Sequence, residues 1–186
     1  MKATSLLKQH HRNTRRALAD LIKAGGQEGE ELRAQMADEL VAHMMVEEKI
    51  IYPRARAIGK KTDLVERSFE EHDISRYALI RLLEADPASE ALVVRAKSLK
   101  RLLDSHMADE ESQLFPMLER TYDTAEMRAL SDEVKDLFER TVQAGYENGL
   151  RALQVEPARQ PKRTAAKATA EGRATLKNGR ADEART

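Results

Sequence analysis

The chain has 186 residues, of which 34% are charged and 4% aromatic, and it contains neither cysteine nor tryptophan. Without cysteine there can be no disulfide, thiolate nucleophile, iron–sulfur cluster or cysteine-type zinc site. No apolar run approaches the roughly 20 residues of a membrane-spanning helix, and Met1-Lys2-Ala3 opens an amphipathic stretch rather than a signal peptide. The chain therefore reads as soluble and cytoplasmic, and its high charge with few Gly or Pro favours helices.

The first helix is predicted from about Ser5 to Ala24, stopped by Gly25-Gly26. Its inward line is Leu7, His11, Thr14, Leu18 and Leu21, the alternating spacing of a bundle seam. His10 lies about 100° to one side of that line. The second helix rises from about Gln27 with Leu32, Met36, Leu40, His43, Glu47 and Ile50 in line. Pro53 is expected to kink or end it, and Gly59 marks the turn. The third opens at Thr62-Asp63, with Glu66 at capping-box distance from Asp63, and carries Val65, Phe69, His72, Arg76, Leu79 and Leu83. Asp86-Pro87 punctuates next, placing proline at the first position of a fourth helix. That helix carries Leu92, Leu99, Leu103, His106 and Glu110 before Pro116. A fifth begins near Asp123, which Glu126 can box, and shows Met127, Leu130, Val134, Leu137 or Phe138, and Thr141. It fades after Gly145 and Gly149.

These elements predict an all-α fold, an up-down-up-down four-helix bundle with an additional C-terminal helix packed outside it or across one end. The bundle unit is expected over residues 1–156, with its core at 5–120 and the extra helix at 123–150. From Pro157 onward eight basic residues face three acidic ones, so the tail 157–186 carries +5 and the remainder −5. Leu176 is the only large aliphatic residue there, a composition expected to stay disordered. The tail's positive charge would at most support weak nucleic-acid contact.

One motif is written twice. His43-Met44-Met45-Val46-Glu47-Glu48, ending in Tyr52-Pro53, returns 63 residues later as His106-Met107-Ala108-Asp109-Glu110-Glu111, ending in Phe115-Pro116. Another histidine precedes each copy, His11 by 32 residues and His72 by 34, so four of the five histidines fall on one frame. Residues i and i+4 share a helix face, which points His43 with Glu47 and His106 with Glu110. A bare carboxylate on a core line costs several kcal/mol unless something pairs with it. Imidazole and carboxylate are ligands for first-row metals, and four nitrogens with two carboxylates suit two ions. Counting from the helix ends, all four histidines can lie in one layer.

Bland readings exist for the other polar residues. Glu48 and Glu111 read as solvated flank residues, or as acceptors of a ligand imidazole's second N–H. His10 reads as a boundary residue. Tyr52 and Phe115 read as core beyond the site, with the Tyr52 hydroxyl within reach of it. Arg76 either snorkels to the surface or stands as a fixed cation beside the site, the one candidate catalytic group. A metal-independent interaction bundle or a phosphotransfer bundle are alternatives; the latter needs an exposed histidine and no carboxylate on the core line.

The pattern His11, then His43-x-x-x-Glu47-Glu48 with Tyr52-Pro53, then Glu71-His72, then His106-x-x-x-Glu110-Glu111 with Phe115-Pro116, resembles the hemerythrin-like family of HHE cation-binding domains. The resemblance covers about Ser5 to Arg120. It implies two iron ions, with manganese or zinc as substitutes, inside a four-helix bundle. His11 and His43 would hold one iron and His72 and His106 the other, with Glu47, Glu110 and an oxo or hydroxo group bridging. Oxygen-carrying members have a further histidine one turn after the position of His72. Here Arg76 stands there, and its guanidinium is no ligand at ordinary pH. The implied partners are small molecules such as O2, peroxide or NO, with sensing, peroxide decomposition and iron or oxygen handling as the implied roles.

Overall fold

The structure is a computed structural model that describes residues 1–25 and 29–154. The expectations for the start of the second helix near Gln27 and for the tail at 157–186 lie outside the described residues. Every regular element among the described residues is a helix: α1 (Ala3–Ala24), α2 (Gly29–Val46), α3 (Tyr52–Ala57), α4 (Thr62–Leu83), α5 (Glu90–Asp109), α6 (Phe115–Thr121), α7 (Thr124–Ala144) and α8 (Tyr146–Gln154). Two π turns, Glu47–Ile51 and Glu110–Leu114, join α2 to α3 and α5 to α6. Among the described residues no helix is long and apolar enough to cross a membrane.

The packing order agrees with the predicted seams. α1 packs on α2 and α5, and α4 packs on α5 and α2, which closes the four-helix square. α7 lies along α1 and α2, and α8 covers α2 and α7. One apolar cluster joins the end of α1 (Leu18, Leu21) to the start of α2 (Met36, Leu40), the end of α4 (Leu79, Leu82) and the start of α5 (Leu92, Leu99). The other joins the start of α1 (Leu7) to Ile51 and Tyr52, the start of α4 (Leu64, Val65), and Phe115, Leu118 and Met127. Neighbouring helices therefore run antiparallel, and the His/Glu layer lies between two apolar ends.

Several local expectations need correction. Pro53 does not end the helical path: it sits in the first turn of α3, as Pro116 sits in the first turn of α6. Proline has no N–H and crowds the carbonyl four residues back. In each π turn the carbonyl of the leading glutamate instead accepts from the residue five along, Glu47 from Tyr52 and Glu110 from Phe115. The Asp63/Glu66 capping box does not form: α4 is capped at Lys61, and Glu66 takes a 2.6 Å ion pair with Arg56. Pro87 is not the first residue of α5. Asp86 Oδ1 accepts from the Ala88 N–H at 2.9 Å, and the helix begins only after Ser89. The Asp123/Glu126 box forms as expected.

The extra helix is also longer than its glycines suggested. Gly145, at φ +82°, breaks it, but Gly149 lies inside α8. A Cβ at Gly149 would come within 2.4 Å of Val41 Cγ1 and 3.3 Å of Thr141 Cγ2, so glycine lets α8 lie close against α2. Gly149→Leu is expected to lower stability by about 1–3 kcal/mol through overpacking, outweighing the helix-propensity gain of about 1 kcal/mol. A fall in the urea midpoint with unchanged slope checks this.

Candidate metal centre

Six side chains converge between the two apolar clusters, one from each bundle helix and one from each π turn. His11 comes from α1, His43 from α2, His72 from α4 and His106 from α5; none is more than 2% exposed, and Glu47 and Glu110 are fully buried. Glu47 reaches His43 and His72, its Oε2 3.3 Å from each Nε2, and lies 3.7 Å from His11 Nε2 through Oε1. Glu110 Oε2 is 3.3 Å from His11 Nε2 and 3.5 Å from His106 Nε2. The two carboxylates thus stand between two imidazole pairs.

Buried polar atoms normally find a partner. Here His11 Nε2, His43 Nε2, Glu47 Oε1 and Glu110 Oε2 have none. His11, His43, Glu47 and Glu110 each bring one donor atom within 4.8 Å of the others, and so do Glu47, His72 and His106. Nitrogen and carboxylate oxygen aimed inward, without hydrogen-bond partners, are what a first-row divalent or trivalent metal needs. The residues fit two such ions with Glu47 common to both groups.

A second ring of polar groups surrounds the first. His11 Nδ1 lies 2.8 Å from Glu111, His72 Nδ1 2.9 Å from Glu48, and His106 Nδ1 2.8 Å from Glu71. A carboxylate on the outer nitrogen fixes the ring and leaves the inner nitrogen free to ligate. Arg15 donates to Glu111 at 3.0 Å, and Arg76 donates to Glu48 and Asp73. Glu48 and Glu111 are therefore acceptors for imidazole, not free flank residues. Arg76 faces Glu48, outside the imidazole ring, rather than the space between the ligand atoms. His10 is buried, stacked on Phe138 with ring centres 4.0 Å apart, so it is covered by α7 rather than left at a boundary.

Tyr52 has a larger part than its sequence suggested. The π turn inserts one extra residue, which brings Tyr52 into line below Glu47. Its hydroxyl donates to Glu110 Oε1 at 2.8 Å and lies 3.0 Å from His72 Nε2 and 3.4 Å from His106 Nε2. Phe115, at the matching place in the second repeat, stacks on His11 at 5.5 Å. Arg15 was not singled out from the sequence, and Glu71 entered only as the residue before His72 in the family pattern. Arg15 was findable, because it precedes Arg76 by the same 61 residues that separate His11 from His72.

Burial opposes charge on every group in this layer, and the neighbours decide the outcome. For His11 burial lowers the pKa, but contacts with Glu110 and Glu47 prevail and push it up to about 10. For His72 burial is likewise overcome, by Glu47 and Glu48, giving about 9. Burial and then the other imidazoles push His43 well below its ordinary value. His10 falls to about 4 through burial and the adjacent His11. Burial would raise Glu110, yet His106 and His11 hold it down to about 2. Burial and then the carboxylates of Glu110 and Glu47 push the Tyr52 phenol well above its ordinary range.

The family model described as the hemerythrin HHE cation binding domain matches residues 2–118 of the chain. Among solved structures the chain is similar to a hemerythrin HHE cation binding domain-containing protein from Mycobacterium kansasii. That likeness has a TM-score of 0.70 at 21% identity and covers 82% of this chain and 99% of the other, and it speaks for the fold. No curated protein sequence matches the chain.

Without metal, the pH dependence of stability has a definite sign. The raised values of His11 and His72 give stability that is full below 6.5 and is lost as pH rises through about 9 and about 10. The lowered values of His10 and His43 give stability that is full above 6.5 and is lost as pH falls, for His10 through about 4. Chelator-treated protein is therefore expected to show its highest thermal midpoint near pH 6.5, and metal-loaded protein at higher pH, because metal competes with protons for the same nitrogens. A midpoint of the metal-free protein that keeps rising toward pH 10 contradicts these assignments.

Proposed function

Because the chain belongs to the hemerythrin family of HHE cation-binding domains, we propose that its buried layer holds two iron ions with an oxo or hydroxo bridge, and that this centre binds or reacts with O2, peroxide or NO. One observation carries the reading: four buried donor atoms on His11, His43, Glu47 and Glu110 point at one another with no other partner. His11 and His43 hold one ion, His72 and His106 the other, and Glu47 and Glu110 lie between. Bound iron supplies redox electrons and open coordination positions for a small ligand.

The chain's own residues supply the rest. Glu111, Glu48 and Glu71 set the tautomer and angle of three imidazoles. Arg15 and Arg76 hold Glu111 and Glu48 in turn, so Arg76 is a positioning residue rather than a group that meets the small molecule. Tyr52 brings a hydroxyl into the layer and donates a hydrogen bond from it to Glu110, keeping its proton. Apolar packing at both ends keeps bulk water away and strengthens these interactions. With two imidazoles for each ion, and Arg76 where oxygen carriers have a further histidine, the ion on the His72 side would have a coordination position to spare for a small ligand. A phosphotransfer role lacks support, since His10, the most exposed of the five histidines, is only 8% exposed.

Protein made in iron-replete cells is expected to carry about two iron ions per chain and to show near-ultraviolet oxo-to-iron bands that change on adding peroxide, azide or NO. His43→Ala and Glu110→Ala are each expected to lose the bands and the iron, since either change leaves buried polar groups unpaired. Stoichiometric zinc with no iron uptake sinks the proposal. So does iron-loaded protein whose spectrum is unchanged by all three small molecules.

A further inference from the structure

The two halves of the centre are related by the internal repeat. An offset of 61 residues takes His11 to His72 and Arg15 to Arg76, and an offset of 63 takes His43 to His106, Glu48 to Glu111 and Tyr52 to Phe115. The outer contacts obey the same relation: Arg15–Glu111–His11 on one side is matched by Arg76–Glu48–His72 on the other. The contact to the fourth histidine breaks it. His106 Nδ1 is held by Glu71 at 2.8 Å, and the residue matching Glu71 in the first repeat is His10. The His10 and His43 rings stand edge to face with centres 5.8 Å apart, and the Nδ1 atoms of both are buried without a partner.

The reason lies in the fifth helix. Glu71 borders an open groove of about 410 Å³ between α4 and α5, formed also by Ser75, Ser98, Arg101 and Ser105, where its charge stays partly solvated. The matching corner at His10 is roofed by Phe138 of α7. A carboxylate there would lose its water, which is unfavourable unless it is fully paired. An imidazole stacks on Phe138 and remains neutral, but it leaves His43 unheld.

We infer that the two metal positions are unequal and fill in sequence, His72/His106 first and His11/His43 second, with residue 10 setting the difference. Outer-shell partners of a ligating histidine are worth about 10–100-fold in metal affinity. The His72/His106 position has both imidazoles braced on their outer nitrogens, by Glu48 and Glu71. The His11/His43 position has only His11 braced. The inference rests on the metal-binding reading of this layer but not on iron or on any reaction with oxygen.

The test is a cobalt(II) titration of chelator-stripped full-length protein, followed by visible absorption against a competing chelator. Wild type is expected to take up cobalt in two steps, separated by about 10–100-fold in affinity. Glu71→Gln is expected to weaken the first step alone. His10→Glu is expected to tighten the second step alone, drawing the two together. His10→Gln, which offers His43 a neutral acceptor, is expected to do the same to a smaller degree if the buried charge prevents His10→Glu from folding. Equal affinity at both positions in wild type overturns the inference, as does a second step that neither residue-10 variant moves. Absence of any cobalt uptake overturns both this inference and the metal reading. Two-step uptake together with an iron form inert to peroxide, azide and NO leaves the inference standing and removes only the proposed function.

Discussion

Two carboxylates and four imidazoles lie at the mid-height of a helical bundle with almost no access to water. An unpaired charge in such a place costs far more than any single packing contact returns, and most of what surrounds the layer serves to offset that cost. Protons on His11 and His72 stand opposite Glu47 and Glu110 in the metal-free protein, as the raised imidazole values indicate. Outside them, Glu111, Glu48 and Glu71 take the outer N–H groups, and Arg15 and Arg76 take two of those carboxylates. Each shell answers the charge left over by the one inside it. A metal bound here would replace the inner protons.

The π turns are the backbone's share of the same arrangement. Each begins on one of the two buried glutamates and ends just before an aromatic-proline pair. Proline cannot complete an ordinary helical hydrogen bond, and the wider turn removes the conflict while moving the downstream residues by one position. As a result the aromatic side chain stays on the inner line, directly beneath the glutamate. In the first repeat that puts a phenol among His72, His106 and Glu110; in the second it puts an apolar ring against His11. The repeat thus supplies one backbone device with two side-chain outcomes, a polar one and a dry one.

The fifth helix distinguishes the halves further. α7 packs on α1 and α2, so the first repeat's outer corner is closed over His10 and Phe138, while the α4–α5 side remains open at Glu71. A duplicated pair of helices would otherwise present two like corners. The difference in solvent access matches the difference in residue, a carboxylate at the open corner and an aromatic ring at the closed one.

The sequence by itself determined the helical class, the bundle seams and the six inward polar residues, because these depend on periodicity and on a motif repeated at nearly constant spacing. It also showed that charge on a core line requires a partner, and histidine one turn from glutamate indicated which kind. What only the tertiary structure decided are contacts between residues far apart in the chain. Glu111 holds a histidine 100 residues away and Tyr52 reaches a glutamate 58 residues away; no local spacing encodes either. Arg76 lies on the same helical line as His72, but its direction was set by Glu48 on a neighbouring element. The Asp63/Glu66 cap lost to an ion pair with Arg56, and Gly149 read as a helix end although it is a contact with Val41. In each case a local preference of about 1 kcal/mol was overruled by packing or pairing with a partner that the linear sequence does not place.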